Sequence, residues 1–168
     1  MNQMDSIING INQFNEWVGK AVSWLTLLLV LLIGIDVLMR YLFKNSQVWV
    51  GELEWHIFSL IFLLGAGYAL KHDRHVRVDL FYDRYSSKTK AWVNLIGTLL
   101  FLLPWCVFVV YAAGQFTWFS WLISETSDQP SGLPARYLIK SAMSLGFFFL
   151  LLQGIAVVLE SVKILRAK

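Results

Sequence analysis

Charge is missing from this sequence over stretches where a soluble domain would carry it. Between Ala91 and Ser124 there is no Asp, Glu, Lys or Arg. With 57% hydrophobic residues, against about 45–50% in ordinary soluble chains, that excludes a water-covered domain of usual make-up. Cysteine is reduced to Cys106, inside the same uncharged run, so an intrachain disulfide and a CxxC redox or metal pair are both excluded. Histidine is limited to His56, His72 and His75. His56 and His72 stand roughly 24 Å apart along a helix, too far to share a haem iron, and no further ligand cluster accompanies His72 and His75. No nucleophile elbow, phosphate-binding glycine loop or HExxH pattern occurs. The net charge of +3 is no nucleic-acid signature, because the cations gather in one loop and at the C-terminus. These absences argue against an enzyme, a resident cofactor or metal, and a nucleic-acid partner.

What is present is apolar and aromatic. Eight Trp, twelve Phe and six Tyr are many for 168 residues, and bilayer interfaces are where amphipathic rings collect. Four apolar segments stand out, each long enough for the roughly 20 residues of a spanning helix. Lipid tolerates such runs only as helices, since every backbone N–H and C=O must find its partner within the segment. The expected fold is all-α: a polytopic membrane protein with four transmembrane helices over 20–43, 52–71, 91–123 and 137–160. An amphipathic interfacial helix over 2–19 precedes them, because Met4, Ile7, Ile8, Ile11, Phe14 and Val18 recur at helical spacing between polar residues. The third run is too long for one crossing, so its Gly114–Ile123 end is expected to extend into the interface. Pro104 is expected to kink it. A basic loop over 72–90 joins the second and third crossings, with Asp79 placed to cap a short helix there and Ser86 or Ser87 to start the third crossing. A periplasmic loop over 124–136 reads as an ordered turn.

Four crossings put both termini and the 72–90 loop on one side. That side holds Lys20, the six cations from Lys71 to Lys90, and Lys163, Arg166 and Lys168, ten of the fourteen Lys and Arg residues. The positive-inside bias makes both termini cytoplasmic. Asp36 and Arg40 share one face of the first crossing in the favourable order for an ion pair. A charge inside a spanning helix faces protein or water and pairs. Glu52 and Glu54 open the second helix, where the macrodipole favours them, and the short 44–51 turn offers Arg40 as a partner. Gly65 and Gly67, with Ala66 and Ala69, permit close approach of another helix. The centres of the crossings carry almost no polar groups, whereas substrate pathways show several near the midplane. The chain therefore reads as a scaffold for a larger membrane partner. A self-contained small multidrug-type exporter and a membrane anchor of a redox complex are the alternatives.

The order Arg40, Trp49, Glu52-Leu53, Gly65-Ala66 and His75-Val76-Arg77-Val78-Asp79 resembles the small membrane subunit, DctQ-like, of tripartite ATP-independent periplasmic (TRAP) transporters. Gly51 stands where that family often has a second acid, and Asp36 is not part of its pattern. The resemblance implies a bacterial inner-membrane protein in a stable 1:1 pair with a large elevator-type subunit that carries sodium and substrate. It also implies a transient periplasmic binding protein and uptake of an organic acid, such as a C4-dicarboxylate or sialic acid. Asp36, Arg40, Trp49, Glu52, Glu54, Gly65, His75 and Asp79 are then the candidate structural and subunit-interface residues, with Arg40 and Glu52 locking the first two helices and His75–Asp79 forming the cytoplasmic rim. Membrane lipids are the remaining partner.

Overall fold

The computed structural model describes residues 3–45, 47–73, 82 and 84–166. Four helices long and apolar enough to cross a membrane account for most of them: α1 (Gln3–Phe43), α2 (Val48–Lys71), α3 (Ser87–Leu122) and α4 (Tyr137–Arg166). No strand occurs among the described residues. α4 packs along both α2 and α3, α1 lies against α2, and the first half of α1 also reaches α4. Lys163 of α4 bonds Asp5 of α1 at 2.6 Å, so the two chain ends meet at one end of the bundle.

α1 is one unbroken helix of 41 residues, about 62 Å long at the standard rise. The amphipathic segment expected over 2–19 is helical, but it is not a separate helix. It continues into the spanning part without a break. The reason is a single seam: Met4, Ile8, Ile11, Asn15, Val18, Val22, Leu25, Leu29, Leu32 and Asp36 are each buried or half-buried, in steps that alternate between three and four. A 3.5-residue period keeps one face toward a neighbouring helix, and here it passes through the boundary near Lys20 unchanged. The apolar face of 3–19 is therefore turned largely inward onto α2 and α4. Ile7, Phe14 and Trp17 are the exposed apolar residues beside it, and Phe14 meets Phe149 edge-on at 5.0 Å between ring centres. Lys44, with φ of 50°, ends α1, and the Asn45 N–H reaches back to the Met39 carbonyl at 3.3 Å.

α3 starts at Ser86, whose hydroxyl accepts from the Thr89 N–H at 3.2 Å. It runs 36 residues, so the 114–122 end continues as helix beyond one bilayer thickness, as its length demands. Pro104 does not interrupt it. The residues before it, Thr98–Leu102, widen into a π-helical turn, and the proline follows at the second position after that turn. The short helix expected near Asp79 falls outside the described residues.

Close packing between α1, α2 and α4 rests on Gly19, Gly67 and Gly146, of which Gly67 meets both α1 and α4. A Cβ there would strike Asn15 Oδ1 and come within 3.1 Å of the Phe149 carbonyl oxygen. Gly65, singled out from the sequence with it, has more room: its Cβ would touch only Val22 Cγ1, at 3.9 Å.

Candidate functional site

Polar side chains buried inside the bundle collect at its two ends. At the end away from the termini, Glu52 is the centre. It lies one turn inside α2, whose Gln47 cap makes no side-chain capping bond, so the carboxylate is free to point elsewhere. Its side chain is 8% exposed. It accepts from the Ser127 hydroxyl, from the Leu133 backbone N–H at 2.6 Å and from the Arg136 guanidinium at 3.4 Å. The segment between α3 and α4 is folded over it by its own bonds, Ser127 N–H to Leu133 carbonyl at 3.1 Å and Arg136 N–H to Glu125 carbonyl at 2.9 Å. At Gly132 a Cβ would collide with Ser127 and reach within 2.8 Å of Glu52 Oε2. Beside this clasp Lys140 binds Glu125 and lies 3.9 Å over the Phe116 ring. That ammonium holds the Glu125 carboxyl below the usual carboxylate range.

The end near the termini has a second clasp, built mainly of amides. Asn15 Nδ2 donates to Gln153 Oε1 at 3.0 Å, Gln153 Nε2 to Asn12 Oδ1 at 2.8 Å, and Asn12 Nδ2 to Glu160 Oε1 at 3.1 Å. Asn15 is fully buried and Gln153 is 1% exposed, so each bond replaces water that the amides have lost. On the other side of α1, Glu16 takes Lys71 at 2.6 Å, His72 at 2.9 Å and Lys20 at 3.5 Å. The Lys71 bond, with His72 beside it, draws the Glu16 carboxyl down to about 2.

The sequence-derived candidates divide accordingly. Glu52 is central, but Arg40 is not its partner. The Arg40 guanidinium binds Asp36 on its own helix, and the Asp36 side chain is 7% exposed, at the last buried position of the α1 seam. The expected Arg40–Glu52 lock is thus replaced by Arg136–Glu52, with Ser127 and Leu133 of the same segment also bonded to that carboxylate. Trp49 is half-exposed in the first turn of α2, and Glu54 is half-buried with Oε1 enclosed. His75 and Asp79 lie outside the described residues. Sequence reasoning missed Ser127 and Arg136, and it missed Asn12, Asn15 and Gln153. The signal for the last three was present: Gln153 interrupts an apolar run, and Asn15 occupies a seam position. Among the described residues no three His, Cys, Asp or Glu side chains converge as metal ligands.

The described geometry can tie helices together at two ends. The sequence of the DctQ component of tripartite ATP-independent periplasmic transporters matches residues 29–164, which is most of the chain. A sialic acid TRAP transporter permease protein of Haemophilus influenzae is 26% identical over 102 residues, 59% of this chain. The matched stretch is 15% of that much longer protein. A transport component of this kind is not an enzyme. This chain belongs to the DctQ family, the small membrane subunit of TRAP transporters.

Proposed function

We propose that the chain is the non-translocating scaffold of a sodium-coupled, binding-protein-dependent importer of an organic acid, of the C4-dicarboxylate or sialic acid class. Its partner is a large elevator-type subunit, bound as a stable pair, and the binding protein visits transiently at the end that carries the Glu52 clasp. Both termini are cytoplasmic in this reading, on the Lys and Arg asymmetry, and the location is a bacterial inner membrane.

The observation that carries the reading is where the polar groups go. Most buried amides and carboxylates are engaged in bonds within the chain toward its two ends, with Asn15 Oδ1 and Glu54 Oε1 enclosed without a hydrogen bond, and the spans between are largely apolar. The spanning part of α1 touches little but α2, and α3 turns a broad face outward, with Trp24 72% and Phe101 73% exposed. Such a molecule has helices fixed to one another and wide flanks for lipid or a partner. The sialic acid assignment of the Haemophilus influenzae relative favours, within the organic acids, a carboxylated sugar.

The test is co-expression of the tagged chain with the large membrane protein encoded beside it, extraction in mild detergent, and uptake in proteoliposomes under a sodium gradient. An equimolar pair that takes up organic acid only when the binding protein is added supports the proposal. A chain that elutes alone and transports unaided overturns it.

A further inference from the structure

On the side of α3 away from α4, Pro104 sits in an open apolar notch of about 420 Å³ lined by Leu100, Phe101, Trp105 and Phe108. The π-helical turn beside it has a backbone consequence. The Leu103 N–H donates to the Thr98 carbonyl, five residues back. The Leu99 carbonyl has two helical donors within reach: the N–H four residues on, Leu103, already engaged, and that five residues on, Pro104, which has none. The Leu100 carbonyl has lost its ordinary donor at Pro104, and the next N–H along, Trp105, is the ordinary donor of the Phe101 carbonyl. This edge of the helix is short of one donor near the middle of the longest uncharged run in the chain. Water supplies such a donor at an aqueous surface. In hydrocarbon only protein does.

The notch is also braced from behind. Thr98 is buried, and a Cβ on Gly154 of α4 would meet Leu103 Cδ2 at 2.9 Å and Leu102 Cδ2 at 3.3 Å. The π turn is therefore clamped onto α4 while Leu100 and Phe101 stay more than half exposed. The notch is a fixed shape, with an acceptor edge and an apolar rim.

We infer that this notch seats a transmembrane helix of the large partner subunit, which sets a hydroxyl or carboxamide side chain as donor on the Leu99–Leu100 carbonyl edge and apolar side chains against Phe101 and Trp105. The inference rests on the subunit reading above and adds the place and the chemistry of the contact. A small polar side chain is the group that meets both demands, because it can donate and still enter an apolar seam between helices.

The experiment uses the intact complex with a photo-cross-linking benzoylphenylalanine in place of Phe101, followed by Pro104→Ala. The expected result is an adduct with the large subunit. In addition, Pro104→Ala should make the pair about fivefold less resistant to dissociation on raising detergent, because alanine restores the internal N–H and removes the demand for an outside donor. The variant adds a helix hydrogen bond, so the thermal midpoint of the chain alone should hold or rise, which separates weakened docking from misfolding. Adducts only with lipid or with a second copy of this chain, or undiminished retention of Pro104→Ala, overturn the inference while a co-eluting pair leaves the subunit reading standing. If no pair forms even with the unaltered chain, it is the subunit reading that fails.

Discussion

At the scale of single residues, the bonds with most consequence are the least visible in one dimension. Gln153 and Asn15 are 138 positions apart, and no local pattern announces such a pair. Each alone is only a polar residue on an apolar face. Replacing Gln153 by Leu leaves Asn12 Oδ1 without its donor and Asn15 Nδ2 with only its 3.3 Å bond to the Ile11 carbonyl, at about 1–3 kcal/mol for a buried polar group left unsatisfied. Thermal unfolding in detergent should show a lower midpoint for Gln153→Leu than for Leu31→Ala on the exposed face of α1, and an unaltered midpoint would contradict the clasp. Arg40 teaches the converse. Its pairing with Asp36 was legible because four residues on a helix fix the distance, whereas Glu52 finding Arg136, 84 positions away, depended on how the 123–136 segment folds. Glu16 supplies a pH dependence. Its carboxyl is lowered from 4.5 to about 2, so the folded state holds the ionised form more strongly than the unfolded chain does. The stabilisation is present in full above the ordinary value and is lost as pH falls from about 4.5 toward 2. Glu16→Gln should flatten that part of the stability profile, measured as unfolding midpoint against pH.

At the scale of elements, composition points to four long apolar helices, because lipid permits so few alternatives. The boundary between the amphipathic segment and the first crossing was the exception. Hydropathy changes near Lys20, and the change reads as a junction, yet the 3.5-residue seam passes through it. Periodicity, not hydropathy, decides whether a helix continues. One alanine inserted between Gly19 and Lys20 would turn the first half of α1 by about 100° against the rest and swing Asn12 and Asn15 away from Gln153. We expect that insertion to lower the unfolding midpoint sharply, and the same alanine placed in the 44–47 turn to be tolerated. Equal effects at the two sites would argue against a continuous seam. Pro104 illustrates a second limit. Its presence in α3 is plain from the sequence, but the π turn over Thr98–Leu102 that precedes it follows from no local signal there.

At the scale of the whole molecule, the clustering of Lys and Arg predicts orientation. A protease-cleavable tag at either terminus should be cut in inside-out vesicles and protected in right-side-out ones, while a tag inserted at Gln129 should behave oppositely. Protection of the termini in inside-out vesicles would reverse the assignment. The ends of the molecule are cross-braced and the flanks are bare, so stability in detergent is expected to improve when a membrane partner covers the flanks.

The unbroken α1 also has a consequence for how the protein is made. Asn12, Asn15 and Asp5 are synthesised 138 to 158 residues before their partners Gln153, Glu160 and Lys163. At roughly 5–20 residues per second, the opening half of α1 waits on the order of ten seconds with its amides unanswered. The opening half of α1 is thus completed only once α4 has been made, and a product cut short before Gln153 would betray itself to quality control by those exposed amides.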